Sequence, residues 1–224
     1  MFIIYFIIIL IIPLWAQMRV RGAYKKYSKV ASSSAMTGRE VARRILDSNG
    51  LYDVSVEETR GMLSDHYDPR TKVVRLSTNN YHGHSVAAAA IAAHEVGHAI
   101  QDQQAYAFLR FRHALVPVAN IGSNFSWILI LIGFLLGASN FVLLGIIFMA
   151  AAVLFQFVTL PVEFNASSRA MDEVVGLGII RNDEERETKK VLNAAALTYV
   201  AAAAVAVLEL LRLILIYTGM QRNE

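Results

Sequence analysis

The chain contains no cysteine among its 224 residues. That excludes disulfide staples and thiolate metal sites, so any metal must be held by histidine, aspartate or glutamate. A strong charge imbalance is also missing. Lys+Arg number 21 and Asp+Glu 18, a net charge of +3. Beyond the short stretch Phe108 to Arg112, arginines are not interleaved with aromatics as in single-strand binders, so no nucleic-acid partner is expected. Positive residues do not precede the first apolar run, where a secretory leader would carry them. The long apolar runs hold no histidine, which argues against a metal-transport pathway through them. No acidic residue lies between 115 and 160, where a protease with zinc buried among its spans would place one.

Apolar residues are abundant. They make up 55% of the chain, with mean hydropathy +0.43, against about 45–50% apolar in a soluble domain. The excess lies in long uncharged runs, the pattern of an integral membrane protein. Residues 1–18 form a first transmembrane helix. Arg19, Arg21, Lys25, Lys26 and Lys29 follow it, which places the N-terminus outside and the basic flank in the cytoplasm. Residues 114–161 form a transmembrane hairpin, with its spans over 115–136 and 141–160. It turns on the uncharged Gly137-Ala138-Ser139-Asn140. Residues 191–217 form a fourth span, leaving 218–224 as an outer tail. Within that span Glu209 and Arg212 are three apart, so they can pair or lie near the outer interface.

The polar parts, 19–113 and 162–190, then face the cytoplasm. Thr37-Gly38-Arg39-Glu40 fits a capping box, and Asn49-Gly50 ends the helix it starts. Residues 52–57 and 71–77 read as two strands paired as a hairpin, with Asp65 to Arg70 as turn chemistry. An edge strand there offers a cradle for an extended peptide. The charge run 181–190 reads as a solvated turn.

The chemistry centres on His94-Glu95-Val96-Gly97-His98. Histidines at i and i+4 share one helix face, so both imidazoles can close on one Zn²⁺. The glutamate between them can take a proton from water held by the metal. The alanine-rich run before His94, with Ser85 as N-cap, predicts a helix over 85–109. Its apolar part is too short to span. A catalytic zinc needs one more protein ligand. His66, His82, His84, His113, Glu163, Asp172 and Glu173 are candidates. Glu163 is the best placed, a carboxylate at a span end that is costly unless it binds something.

The runs 65–77, 92–101, 160–164 and 192–200 together resemble the bacterial YugP-type membrane zinc metallopeptidases over nearly the whole chain. The layout is gluzincin-like and similar to HtpX and the CAAX prenyl protease relatives. The resemblance implies one zinc per chain, with His94, His98 and Glu163 as ligands and Glu95 as general base. It implies an α-helical multi-pass membrane protein of four transmembrane helices with a small α+β zincin-like cytoplasmic domain. It further implies a peptidase of the bacterial plasma membrane acting on membrane proteins or peptides beside the bilayer. Where the HtpX-like pattern has an acidic residue orienting a zinc histidine, this chain has Ser167. Asn165, Asp172 or a backbone carbonyl are then the candidate partners. Tyr199, Arg169 and His82 are candidate oxyanion donors. A zinc-stabilised membrane scaffold without catalysis is the alternative reading; an open fourth position and the intact Glu95 speak against it.

Overall fold

The computed structural model describes residues 2–222. Met1 of the expected first span and Asn223 and Glu224 of the expected tail lie outside the described residues. Seven helices and a three-stranded sheet follow one another as α1 (Phe2–Tyr27), α2 (Gly38–Ser48), β1 (Ser55–Thr59), β2 (His66–Asp68), β3 (Val73–Ser77), α3 (Thr78–Tyr81), α4 (Val86–Gln103), α5 (Ala107–Leu136), α6 (Ser139–Gly176) and α7 (Glu185–Gln221). Four of them, α1, α5, α6 and α7, are long and apolar enough to cross a membrane.

The chain divides into two compact units. One contains the residues up to Trp15, Ala107–Pro161 and those from Tyr199 onward; the other contains Ala16–Tyr106 and Val162–Thr198. In the first, small residues let α5 and α6 approach closely. A Cβ on Gly133 would meet Val142 Cγ2 at 2.6 Å, and one on Gly122 would meet the Phe148 carbonyl oxygen at 2.8 Å. Such contacts let helices pack without a hydrophobic driving force between them. Ser126 donates to the Gly145 carbonyl at 2.8 Å. Gly137, with φ of 64°, turns the chain between the two helices. Arg212 pairs with Glu209 at 3.0 Å and lies over the Tyr5 and Phe6 rings.

The second unit is built on one apolar core. The second half of α1 contributes Tyr24 and Tyr27, α2 contributes Val41, Ala42, Ile45 and Leu46, and α4 contributes alanines and Val96. The capping box at the start of α2 forms as the sequence predicts, with Thr37 accepting from the Glu40 amide and Glu40 reaching back. Ser85 caps α4 by accepting from the Ala88 amide at 3.1 Å.

The strand pairing differs from the sequence expectation. β1 pairs with β3 in parallel, Ser55 opposite Val73 and Thr59 opposite Ser77. The hairpin is instead β2 with β3, His66 opposite Arg75. The segment expected as a turn holds the partner strand, which at three residues is too short to show alternation. Asp68 closes that hairpin by accepting from the Arg70 amide and the Thr71 hydroxyl. The sheet order is therefore β1-β3-β2, with β1 and β2 at the edges.

Three helix ends also move. α4 ends at Gln103, six residues before the expected Leu109, because Ala105 adopts a left-handed φ of 54°. α6 runs through Pro161 to Gly176 instead of ending at Leu160. A proline removes one helical donor without obliging a long, well-packed helix to stop. Only Arg181 to Glu184 of the charge run forms a turn. Glu185 and Glu187 begin α7, where acidic side chains suit the positive helix end.

Candidate metal centre

Spacing on α4 brings His94 and His98 edge to face, ring centroids 4.8 Å apart. Glu163, two residues beyond Pro161 on α6, meets them. Its Oε2 lies 3.3 Å from His94 Nε2 and 3.5 Å from His98 Nε2. The three groups offer ligand atoms within 4.8 Å of one another. Glu163 is 2% exposed, yet its Oε2 has no hydrogen-bond partner. A buried, unpartnered carboxylate oxygen facing two imidazole nitrogens is expensive unless a cation joins them. Tetrahedral zinc with bonds of about 2.0–2.2 Å sets its donors roughly 3.3–3.5 Å apart. The donor set therefore fits zinc.

Glu95 is buried beside these histidines. Burial pushes its carboxyl pKa above the ordinary carboxylate range, and the neighbouring imidazoles only partly offset this. Burial opposes charge on His98, but the Glu163 carboxylate outweighs it and carries the imidazole above its usual value.

The far side of each ring is held. His94 Nδ1 lies 3.2 Å from Ser167 Oγ, and His98 Nδ1 lies 3.0 Å from Gln101 Oε1. Ser167, which stands where the HtpX-like pattern has an acidic residue, is thus itself the partner of His94, in place of the Asn165, Asp172 or backbone carbonyl that the sequence suggests. Asn165 stands one step further out, and Asp172 is exposed. The role of Gln101 was missed. The sequence offers only a polar residue three after His98; its complete burial appears in the structure.

The other candidates have separate surroundings. His66 is exposed, with Nδ1 2.8 Å from the Ser64 carbonyl. His82 is exposed and pairs with Glu58 at 3.1 Å. His84 is exposed, with Nδ1 2.7 Å from the Ala35 carbonyl. His113 lies exposed on α5 and Glu173 half-buried on α6. Arg169 is committed to Asn165 and Gln104. Tyr199 belongs to the other compact unit. A cleft of about 630 Å³ lies between α6 and α7, with Ser167, Asp172, Arg186, Lys189 and Asn193 on its walls.

Residues 2–218 match the family described as "Putative neutral zinc metallopeptidase". The chain is 56% identical over 210 residues to "Putative membrane protease YugP" of Bacillus subtilis (strain 168), covering 93% of each chain. No solved structure matches it.

Proposed function

The chain belongs to the family described as putative neutral zinc metallopeptidases, and from that premise we propose that it is a membrane zinc endopeptidase with His94, His98 and Glu163 as metal ligands. The carrying observation is the unpartnered Glu163 Oε2 turned toward two imidazole Nε2 atoms. Zinc, when bound, supplies the Lewis acidity that polarises a peptide carbonyl and makes water a nucleophile near neutral pH. The protein supplies proton movement and positioning. Glu95 accepts the proton of the attacking water and delivers it to the departing amine; a carboxyl raised by burial suits both steps. Ser167 and Gln101 keep the two rings aimed at one point. The edge strand β2, tied to α4 where the Tyr67 hydroxyl donates to Asp102 at 3.0 Å, offers main-chain groups to an extended substrate.

Substrates in this reading are membrane proteins or their segments near the bilayer, cut at the cytoplasmic face of a bacterial plasma membrane. The basic flank after the first apolar run supports that orientation. A single cysteine at position 33 tests it in a chain without native cysteine. Labelling of intact cells by an impermeant reagent would overturn the orientation.

Glu95→Gln tests the chemistry. Cleavage of a casein-like or membrane substrate in liposomes is expected to fall by about 10²–10⁴-fold with zinc stoichiometry unchanged. Equal cleavage by both proteins would sink the enzyme reading. No cleavage by either, with one zinc in each, would favour the scaffold.

A further inference from the structure

The two rings are held by partners of different chemical kinds. Ser167 can donate or accept, so it leaves the protonation pattern of His94 open. Gln101 has no such freedom, and the reason lies two residues away. The Arg169 guanidinium can only donate, so the Asn165 atom 2.7 Å from its Nε is the carbonyl oxygen. The Gln101 atom 2.9 Å from that oxygen also lies 2.8 Å from the Val162 carbonyl. Facing two acceptors, it must be the amide nitrogen. Only Gln101 Oε1 then remains for His98 Nδ1, 3.0 Å away. An oxygen that only accepts requires the imidazole proton on Nδ1, which leaves the His98 Nε2 lone pair facing Glu163.

We propose that Gln101 is a positioning residue that sets His98 in its metal-binding tautomer before a cation arrives, its amide orientation fixed by the Val162 carbonyl and seconded by Asn165, which Arg169 holds. The inference rests on the zinc reading of His94, His98 and Glu163. The relay spans two facing ridges. His98 and Gln101 lie on one face of α4, with Gln104 at its C-terminal cap, and Val162, Asn165 and Arg169 lie on one face of α6. Arg169 closes it by donating from Nη1 to Gln104 at 2.7 Å. Gln101 is 0% exposed, so water does not compete for its amide. Without the relay the ring can carry its proton on Nε2 and donate it to Glu163, and zinc must then displace a satisfied hydrogen bond. Arg169 holds Asn165 in place and touches neither zinc nor substrate.

The test reads the tautomer directly. Metal-free protein labelled with ¹⁵N-histidine is examined in detergent at alkaline pH, where imidazoles are neutral, with His98→Gln to assign the signal. Native His98 is expected to carry its proton on Nδ1. Gln101→Leu and Gln101→Ala are expected to shift the signal toward the Nε2–H form. They should weaken zinc binding, measured by chelator competition, by about 10–100-fold. Gln101→Ala, which adds no bulk to the packed interior, serves if Gln101→Leu does not fold. An Nε2–H signal in the native protein overturns the proposal, as does native zinc affinity in both loss variants. A native chain that binds zinc no better than His94→Ala would overturn the zinc reading instead, and the tautomer result would still stand or fall by itself.

Discussion

Gly97 is a point of close approach between α4 and the part of α6 that carries Glu163. A Cβ there would lie 2.6 Å from the Ala166 carbonyl oxygen and 3.2 Å from its carbon. Alanine improves helix propensity by up to about 1 kcal/mol. Forcing two backbones apart in a packed interior costs more, typically about 1–3 kcal/mol. Gly97→Ala is therefore expected to lower the melting temperature by a few degrees and loosen zinc retention, because Ala166 is flanked by Asn165 and Ser167. A higher melting temperature, as at an open helical site, would show that the helices do not approach this closely. The sequence by itself assigns Gly97 no role. The pairing of His94 with His98 was legible, since one helical turn fixes it within a single element. Glu163 was legible as a carboxylate at an apolar boundary. Gly97 and Gln101 were not, because their importance depends on which residues of a distant helix face them.

Elements were legible where a local signal starts or stops them. The capping box of α2 and the Ser85 cap of α4 are side chains bonding to backbone within three residues. The sheet was misread because pairing is not local, and a parallel β1–β3 ladder leaves no turn to recognise. One long-range tie escaped notice for the same reason. Glu184, at the turn between α6 and α7, accepts from the Ser33 amide at 2.7 Å, from the Ser33 hydroxyl, and from the Arg181 amide at 2.8 Å. It anchors the loop between α1 and α2. Burial alone would raise its pKa, but these donors outweigh burial and hold it below the ordinary value of 4.5. A depressed folded pKa means the stabilisation is complete above the unfolded value and is lost as pH falls through the folded one. Glu184→Gln should thus cost about 1–3 kcal/mol at pH 7. The gap in melting temperature from the native chain should close on acidification below about pH 4. A gap that does not vary with pH would mean the carboxylate charge is not what holds the loop.

At the scale of the whole chain, the metal site is assembled from segments far apart in sequence. His94 and His98 sit on α4 and Glu163 on α6, with the α5–α6 hairpin between them along the chain. Unfolded, these groups are separate and hold zinc weakly; folded, they converge. Zinc binding is thereby folding free energy. A cation at about 1,000 times its dissociation constant adds roughly 4 kcal/mol, which in a chain of this size corresponds to about 8–16 °C. Stripping zinc with a chelator is expected to lower the melting temperature by that order, and returning zinc should restore it. Glu163→Gln is the informative variant. It removes the third ligand together with the carboxylate that raises the His98 imidazole, so each protein's response is read against its own metal-free form. The response of Glu163→Gln to zinc should be largely lost. If native protein and Glu163→Gln gain equally from zinc, the carboxylate is not a ligand, and the unpartnered Oε2 needs another explanation. If neither responds, the convergence of the three side chains does not bind a metal that matters to the fold.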